Sequence, residues 1–317
     1  MQSDQYTNRP ELYYKLGLTP QQHCLFEVDH EPENFDPEIL HNFGTVFLLS
    51  GEGNTQKYYN PEQTNWHYFD STVSDQYLVR PWMFHFSHTV TVNTALGLTD
   101  QLSCTTAKPL VWDALLGIER PHRDLAYQRI TQDPVLRAKT FLTYYNINKD
   151  FIPGFRGQKD PVPIGWSSEN IVVDGIPGIW RSQIIPTDIY NQTWFSLVCE
   201  TRSDTQGCSF FTEKIAKPML AGRPFVVLAD QNYLRRLRSL GFQTFESVFD
   251  QSYDSIEDNQ TRWNTALDLM QWISDQDPVE IYQRCQQVLL HNQQLMKTNW
   301  EDLLVTGIQK ILTKSSK

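Results

Sequence analysis

Six charged or hydroxyl side chains in the segment 195–230 have types and spacing suited to binding an anion. Three of them directly follow an apolar run and three open a short amphipathic segment: Glu200, Thr201, Arg202, Thr212, Glu213 and Lys214. The start of a helix carries free N–H groups and a partial positive charge, and Lys214 adds a full charge there. The pattern predicts a phosphate site; the alternative interpretation is a capped helix start with a surface lysine.

The elements that must position these side chains are predicted in the order strand, loop, helix and strand. The apolar runs 195–199 and 224–229 predict the two strands, and residues 215–220 predict the helix between them. In an open α/β sheet, ligands bind outside the carboxyl ends of the strands. We therefore expect the charged side chains to lie on the ligand-binding edge of a parallel sheet.

A second strand-to-helix junction carries basic residues in the same kind of position. The apolar run 108–116 is followed by Arg120, His122 and Arg123, and a helix is predicted from about residue 124. A guanidinium suits such a site because its planar fork binds two phosphate oxygens at once. The junction predicts a second set of phosphate contacts, with an exposed surface turn as the alternative.

Four short stretches resemble the donor-binding segment of the α1,3-fucosyltransferase family: Glu200-Thr201, Phe-Thr-Glu-Lys at 211–214, Leu-Ala-Gly at 220–222 and Val-Val-Leu at 226–228. Thr201 stands where that family has Asn. The family has the GT-B architecture, in which two Rossmann-like α/β domains face a cleft. Its members transfer fucose from GDP-fucose with inversion and without a bound metal.

The resemblance implies that the chain is an enzyme, an inverting and metal-independent glycosyltransferase. Its donor would be GDP-fucose or another nucleotide-diphosphate sugar, its acceptor a glycan or another hydroxyl compound, and it would need no cofactor. Arg123 best matches the family's phosphate-binding arginine, and Lys214 would stabilise the departing diphosphate with it. Glu200 would serve the donor sugar or its developing positive charge. The remaining donor contacts would be Arg202, Thr201, Thr212 and Glu213.

Acidic residues elsewhere supply candidates for the rest of the site. Inversion requires a base that accepts the proton of the acceptor hydroxyl. Asp29 and Glu31 follow the apolar run 24–28, and the fucosyltransferases carry a similar acidic turn early in the chain. Asp250 and Tyr253 would meet the sugar or the base of the donor. For both pairs a solvated loop is the alternative.

Bulk properties narrow the class of protein. The chain has 317 residues, a net charge of −10 and five cysteines. The negative charge disfavours nucleic acid as a partner, because attraction to a polyanion would need a local basic patch. The odd cysteine count without a Cys-x-x-Cys pair predicts a reducing compartment. With a polar N-terminus and no apolar run long enough for a membrane span, we expect a cytoplasmic protein.

The length predicts two domains. We expect an acceptor-side α/β domain over 1–105, a donor-binding Rossmann-like domain over 106–290, and a C-terminal helix over 291–317 that packs back on the first domain. Further strands are predicted at 45–49, 67–69, 141–145, 171–173, 182–185 and 242–245, and helices at 232–240, 259–274, 278–297 and 299–314. His85 and His88 share a helix face but have no third ligand nearby, so we predict no metal site.

Two other functions stay open at this stage. The chain could be a glycosyltransferase that acts on modified DNA bases, although its negative charge speaks against this. It could also be a non-catalytic nucleotide-binding or assembly protein, because a fold does not by itself establish turnover.

Overall fold

The computed structural model describes residues 6–20, 22–30, 36–52, 54–76, 78–103, 107–145, 171–173, 176–179, 181–204 and 207–315. The chain divides into two compact units. Unit 1 comprises Met1–Ser87 and Asn299–Lys317, and unit 2 comprises His88–Thr298. The first and last segments of the chain thus belong to the same unit.

Helices and strands alternate along much of the chain. The first seven are α1 (Pro10–Lys15), β1 (His23–Glu27), β2 (Thr45–Ser50), β3 (Trp66–Asp70), β4 (Thr72–Ser74), β5 (Arg80–Pro81) and α2 (Phe84–Ala95). Those of the middle are β6 (Leu110–Ile118), α3 (Pro121–Gln132), α4 (Pro134–Ala138), β7 (Thr140–Tyr145), β8 (Ile171–Val173), β9 (Ile176–Ile179), α5 (Thr187–Tyr190), β10 (Thr193–Cys199) and β11 (Cys208–Phe210). The last are α6 (Glu213–Leu220), β12 (Phe225–Leu228), α7 (Tyr233–Ser239), α8 (Asn259–Ser274), α9 (Pro278–Met296) and α10 (Trp300–Ser315).

Unit 1 is built on a parallel sheet with the strand order β1-β2-β3-β5. Side chains alternate between its two faces, as the period of a strand requires. One face, with Leu25, Phe47, Leu49 and Phe69, packs against helix α1 and against Leu304 and Ile308 of α10. The other face includes Cys24, Phe26, Val46, Leu48 and Tyr68. Because both faces are covered, the strands are almost continuously apolar.

Unit 2 is built on a second parallel sheet, with the order β12-β10-β6-β7. The chain runs from β6 to β7 on one side, and then from β10 to β12 on the other. The strand order therefore reverses between β6 and β10, and the carboxyl ends of this pair form the topological switch point at which open α/β sheets bind ligands. The predicted mixed α/β fold with parallel strands is confirmed.

Two of the predicted strands are wrong. Residues 182–185 overlap a short 3-10 helix, Arg181–Gln183, and residues 242–245 form an irregular segment. In each case a buried asparagine from a helix bonds the backbone groups that a neighbouring strand would otherwise bond. The Asn93 side chain accepts from Ile185 N at 2.7 Å and donates to Gln183 O at 2.8 Å. Asn292 does the same for the N–H and C=O of Gln243, both at 2.9 Å.

The remaining helix predictions agree well with the structure. Helices α8, α9 and α10 lie where the sequence predicts them, and Asp277 caps α9 through Val279 N at 2.8 Å. Helix α3 begins three residues earlier than the predicted residue 124, because Pro121 takes its first position, where the missing N–H is not needed. Within the described residues, no helix is both long and apolar enough to cross a membrane.

Candidate functional site

Glu200 lies at the centre of the candidate site, directly after the carboxyl end of β10. Its carboxylate is fully buried. It accepts hydrogen bonds from the Tyr233 hydroxyl at 2.6 Å, the Thr212 hydroxyl at 2.5 Å and the N–H of Thr201 at 3.3 Å. Both oxygens are therefore used within the protein, and Glu200 joins β10 to the starts of α6 and α7.

Thr212 connects Glu200 to the start of α6. Its hydroxyl donates to the Glu200 carboxylate and accepts from Lys214 N at 3.2 Å, which makes Thr212 the N-cap of the helix. The predicted helix start is thus confirmed. Because the N-cap Thr212 is bonded to Glu200, the residue directly after β10, the N-terminus of α6 lies at the carboxyl edge of the sheet.

Lys214 is a partly exposed cation at this edge. Its Nζ donates to Thr201 Oγ1 at 2.9 Å and to Glu213 Oε1 at 2.8 Å. The side chains of Lys214 and Glu213 are 26% and 11% exposed. A ligand that arrives at Thr201 would therefore meet a charged ammonium group that is already directed at this point by two protein oxygens.

Arg123 reaches the same segment from the first turn of α3. Its Nη2 donates to the carbonyl oxygens of Cys199 at 3.3 Å and Glu200 at 3.1 Å, and the side chain is buried. Burial lowers the pKa of Arg123 from its usual value. Lys214 and Arg123 thus contact three consecutive residues, 199–201. The side chains that the sequence places on two separate strand-to-helix junctions do come together.

His122 lies beside them and is neutral. Its Nε2 is 2.9 Å from the Glu200 carbonyl oxygen, so this nitrogen must carry the proton, and Nδ1 accepts from the Ser203 hydroxyl at 2.7 Å. Burial lowers the pKa of His122 to about 3, and the positive charges of Arg123, Arg120 and Lys214 act in the same direction. All three cations therefore lie near this imidazole, while the carboxylates of Glu200 and Glu213 raise the pKa of Arg123.

Three other predicted donor contacts are Arg202, Asp250 and Tyr253. The Arg202 guanidinium lies 5.1 Å from the centroid of the Phe210 ring. Asp250 is exposed and accepts from Ser252 N at 2.8 Å, so it forms a local turn. Tyr253 is buried beneath β12, where its hydroxyl accepts from Val227 N at 3.3 Å, and burial raises its pKa.

The two predicted bases belong to unit 1, and only one of them can be placed. Asp29 accepts from Ser50 Oγ at 2.8 Å, Gly51 N at 2.6 Å and Asn54 Nδ2 at 2.8 Å, and so it holds the loop after β2. Its carboxylate is at the carboxyl edge of that sheet, as predicted. Glu31 lies outside the described residues.

Lys217 is a functional candidate that the sequence prediction missed. It lies on α6, and its Nζ donates to the Ser182 carbonyl oxygen at 2.6 Å. Burial lowers the pKa of Lys217 to about 8, although the nearby Glu213 carboxylate acts in the opposite direction. The signal that could have found it is its position four residues after Glu213, which puts both side chains on one face of the helix.

The described residues contain no group of three or more His, Cys, Asp or Glu side chains that could hold a metal ion. Comparison of the chain with protein-family models, with curated proteins and with solved structures found no match in any of the three. The functional interpretation therefore depends on the geometry of the site and on the short resemblance in the donor-binding segment.

Proposed function

We propose that unit 2 binds the diphosphate of a nucleotide sugar and that the protein is an inverting, metal-independent glycosyltransferase. One observation carries the proposal: Lys214 and Arg123 converge on residues 199–201, at the switch point of the parallel sheet and beside the start of α6. A diphosphate at this position would meet a full positive charge and the N-terminal dipole of a helix, both of which stabilise an anion.

The two cations would contribute differently to catalysis. Charge builds on the diphosphate as the bond to the sugar breaks, and fixed positive groups stabilise that charge. Lys214 is accessible, so its ammonium group would bind a phosphate oxygen directly. Arg123 is buried and already bonded to two carbonyl oxygens, so it would add charge from beneath the segment and hold its backbone in place.

The rest of the reaction follows from the resemblance to the fucosyltransferases. The donor would be GDP-fucose, and Glu213 would accept hydrogen bonds from hydroxyls of the donor. Asp29 or Glu31 would take the proton from a glycan hydroxyl, which requires the two units to face one cleft, as in the GT-B architecture.

Cysteines 24, 199, 208 and 285 are free thiols, which supports our proposal of a reducing, cytoplasmic setting.

The first experiment measures the binding of GDP, UDP and CMP by thermal shift and calorimetry, and then the slow hydrolysis of GDP-fucose. We expect one nucleoside diphosphate to raise the melting temperature, because a ligand that binds only the folded state stabilises it. If none of the three nucleotides binds, the proposal is wrong.

The second experiment replaces Lys214 by Ala. Loss of a cation that contacts the leaving group should remove about 2–4 kcal/mol of transition-state stabilisation, which is ~30- to 1000-fold in kcat. The matched control is Lys139→Ala. That lysine donates to the Ser274 carbonyl oxygen at 2.5 Å, but it precedes β7 and so lies at the amino edge of the same sheet. Equal losses in both variants would contradict the proposed role of Lys214.

A non-catalytic nucleotide-binding protein is the second candidate, and the bonding of Glu200 favours it. Both carboxylate oxygens of Glu200 are already bonded to protein donors, so this residue is not free to stabilise a sugar cation without a rearrangement. Such a protein would bind a nucleoside diphosphate through Lys214 without hydrolysing the corresponding sugar nucleotide. The hydrolysis assay separates the two functions.

A further inference from the structure

Unit 1 contains a groove of about 950 Å³ between α10 and its sheet, which extends from the amino ends of the strands to Arg80 of β5. Its walls are formed by residues at the amino ends of the strands, such as Thr45 and Asn65, and by one face of helix α10. Ligand pockets in proteins typically have volumes of about 300–1,000 Å³. The groove is therefore large enough for an organic molecule the size of a nucleotide or a small sugar phosphate.

The charges around this groove are all positive. Arg80, Lys310 and Lys314 line it, and its described lining residues include no Asp or Glu. None of these three cations forms a salt bridge with a described carboxylate. This is unexpected in a chain with a net charge of −10, because cations gathered together repel one another unless an anion compensates them.

Arg80 is the cation most closely held by the fold. It lies on β5 and is half-buried, with its guanidinium carbon 5.7 Å from the centroid of the Phe69 ring. Burial lowers its pKa, but an arginine stays charged in proteins. A planar guanidinium supported by an aromatic ring is well suited to bind two oxygens of a phosphate. The two lysines of α10 are exposed and add charge at the rim.

The floor of the groove is apolar and aromatic, and a glycine lets the helix that forms its wall lie close to the sheet. Phe69 and Ile311 line it together with the neutral imidazole of His67, whose pKa burial lowers to about 4. Gly307 lets α10 approach β3 closely, because a Cβ atom there would lie 2.9 Å from Phe69 Cε1. Apolar surface with a few convergent polar groups is the usual composition of a small-molecule site.

We propose that this groove binds a phosphorylated small molecule, with its phosphate held by Arg80, Lys310 and Lys314 and its organic part against the apolar lining residues Pro81, Leu303 and Ile311. The site is separate from the proposed diphosphate site, since all of its residues belong to unit 1. Asp29 is not among its described lining residues, so the groove is a site for a second ligand and not for the reacting acceptor.

Calorimetric titration of the full chain tests the proposal with four probes: glucose 1-phosphate, AMP, inorganic phosphate and glucose. We expect saturable binding of one of the organic phosphates, weaker binding of inorganic phosphate and none of glucose. The first two probes distinguish a sugar phosphate from a nucleotide. If no phosphate compound binds, the proposal is wrong.

Substitutions locate the binding in the groove. The triple variant Arg80→Gln, Lys310→Gln, Lys314→Gln should bind the preferred probe at least about 30-fold more weakly, since each lost phosphate contact is a charge-assisted hydrogen bond. The control removes the same charge from exposed lysines outside the groove: Lys15→Gln, Lys57→Gln, Lys297→Gln. An equal loss of affinity in this control would mean that the first triple variant acts only through its net charge, and this would overturn the proposal.

Two further variants keep the test independent of folding and of the site in unit 2. Lys310→Glu changes an exposed residue that the core does not need, and it should weaken binding of the same probe by at least about tenfold. Lys214→Ala should leave this binding unchanged, whether or not the proposed glycosyltransferase activity is found. If Lys214→Ala abolishes the binding, the probe occupies unit 2 and the proposal is wrong.

Discussion

Arg223 and Asp113 form a buried ion pair in unit 2. The Nη2 atom of Arg223 lies 2.7 Å from Asp113 Oδ2, and the two side chains are each 4% exposed. Arg223 also donates to the Thr193 carbonyl oxygen at 2.7 Å and lies over the Tyr190 ring at 4.1 Å. Burial raises the pKa of Asp113 in spite of the neighbouring guanidinium. The pair links β6 to the turn that precedes β12.

Replacing Arg223 by Met should therefore lower the free energy of unfolding strongly. The substitution leaves the Asp113 carboxylate buried without its counterion, which typically costs about 3–5 kcal/mol. Denaturant unfolding measures the loss. The double variant Arg223→Met, Asp113→Leu removes both charges and should recover part of the stability, because an apolar pair of similar volume carries no desolvation penalty. A double variant less stable than the single variant would contradict this account.

Asp70 in unit 1 should make stability depend on pH. Burial raises its pKa from 3.8 to about 6, although Thr55 and Thr72 donate hydrogen bonds to it. The folded state therefore holds the proton more tightly than the unfolded state. Its favourable contribution is complete below pH 3.8 and is lost as the pH rises through about 6. A shift of about two units corresponds to ~3 kcal/mol.

The measurement compares unfolding free energies of the wild type and Asp70→Asn between about pH 4 and pH 7. The unfolding free energy of the wild type, relative to that of Asp70→Asn, should fall by ~3 kcal/mol as the pH rises over that range. Every other titrating group is common to both proteins and cancels in the comparison. A difference that stays constant with pH would show that the carboxyl group titrates in the same way in the folded and unfolded states.

At the scale of elements, the turn between α6 and β12 depends on Gly222. Its φ of +63° is in the left-handed region, and an added Cβ would lie 2.7 Å from Gln293 Nε2. That amide donates to the Leu220 carbonyl oxygen at 3.2 Å, and so it secures the end of α6 to α9. The helix that carries Lys214 is thus fixed at its far end by a glycine that no side chain can replace without strain.

Gly222→Ala should destabilise the protein by ~1–3 kcal/mol from the backbone conformation alone, with a further loss from the displaced Gln293. Gly97→Ala is the matched control, since Gly97 has a φ of +61° and no atom within 4 Å of an added Cβ. Thermal unfolding of both variants separates the two contributions. If the two variants lose the same stability, the contact of the added Cβ with Gln293 contributes nothing to the loss in Gly222→Ala.

Local patterns were sufficient to predict most elements and the start of the site. Thr212 and Lys214 are neighbours in sequence, so their helix start was predictable from capping chemistry alone. The bonding of Glu200 was not, because its main partner Tyr233 is 33 residues away and is brought to it only by the fold. The wrong strand at 242–245 has the same cause, since its backbone is bonded by Asn292 of a distant helix.

At the scale of the whole molecule, unit 1 is assembled from the two ends of the chain. Helix α10 supplies Leu304 and Ile308 to the same apolar cluster as Leu12 and Phe47, which lie in the first 50 residues of the chain. The sequence predicted a final helix that returns to the first domain only through the family resemblance. The spacing of apolar residues in the helix does not show which part of the protein their face packs against.

Ile308→Ala should therefore destabilise unit 1 although the residue is only nine positions from the end of the chain. Ile308 is fully buried in that cluster, and removing a buried aliphatic side chain typically costs about 2–5 kcal/mol. Leu303→Ala, at a position that is 47% exposed on the same helix, should cost much less. Hydrogen exchange locates the loss: amides of β1, β2 and β3 should exchange faster in Ile308→Ala than in Leu303→Ala. Equal exchange in the two variants would mean that α10 is not required for the core of unit 1, and the groove between that helix and the sheet would then lack a stable wall.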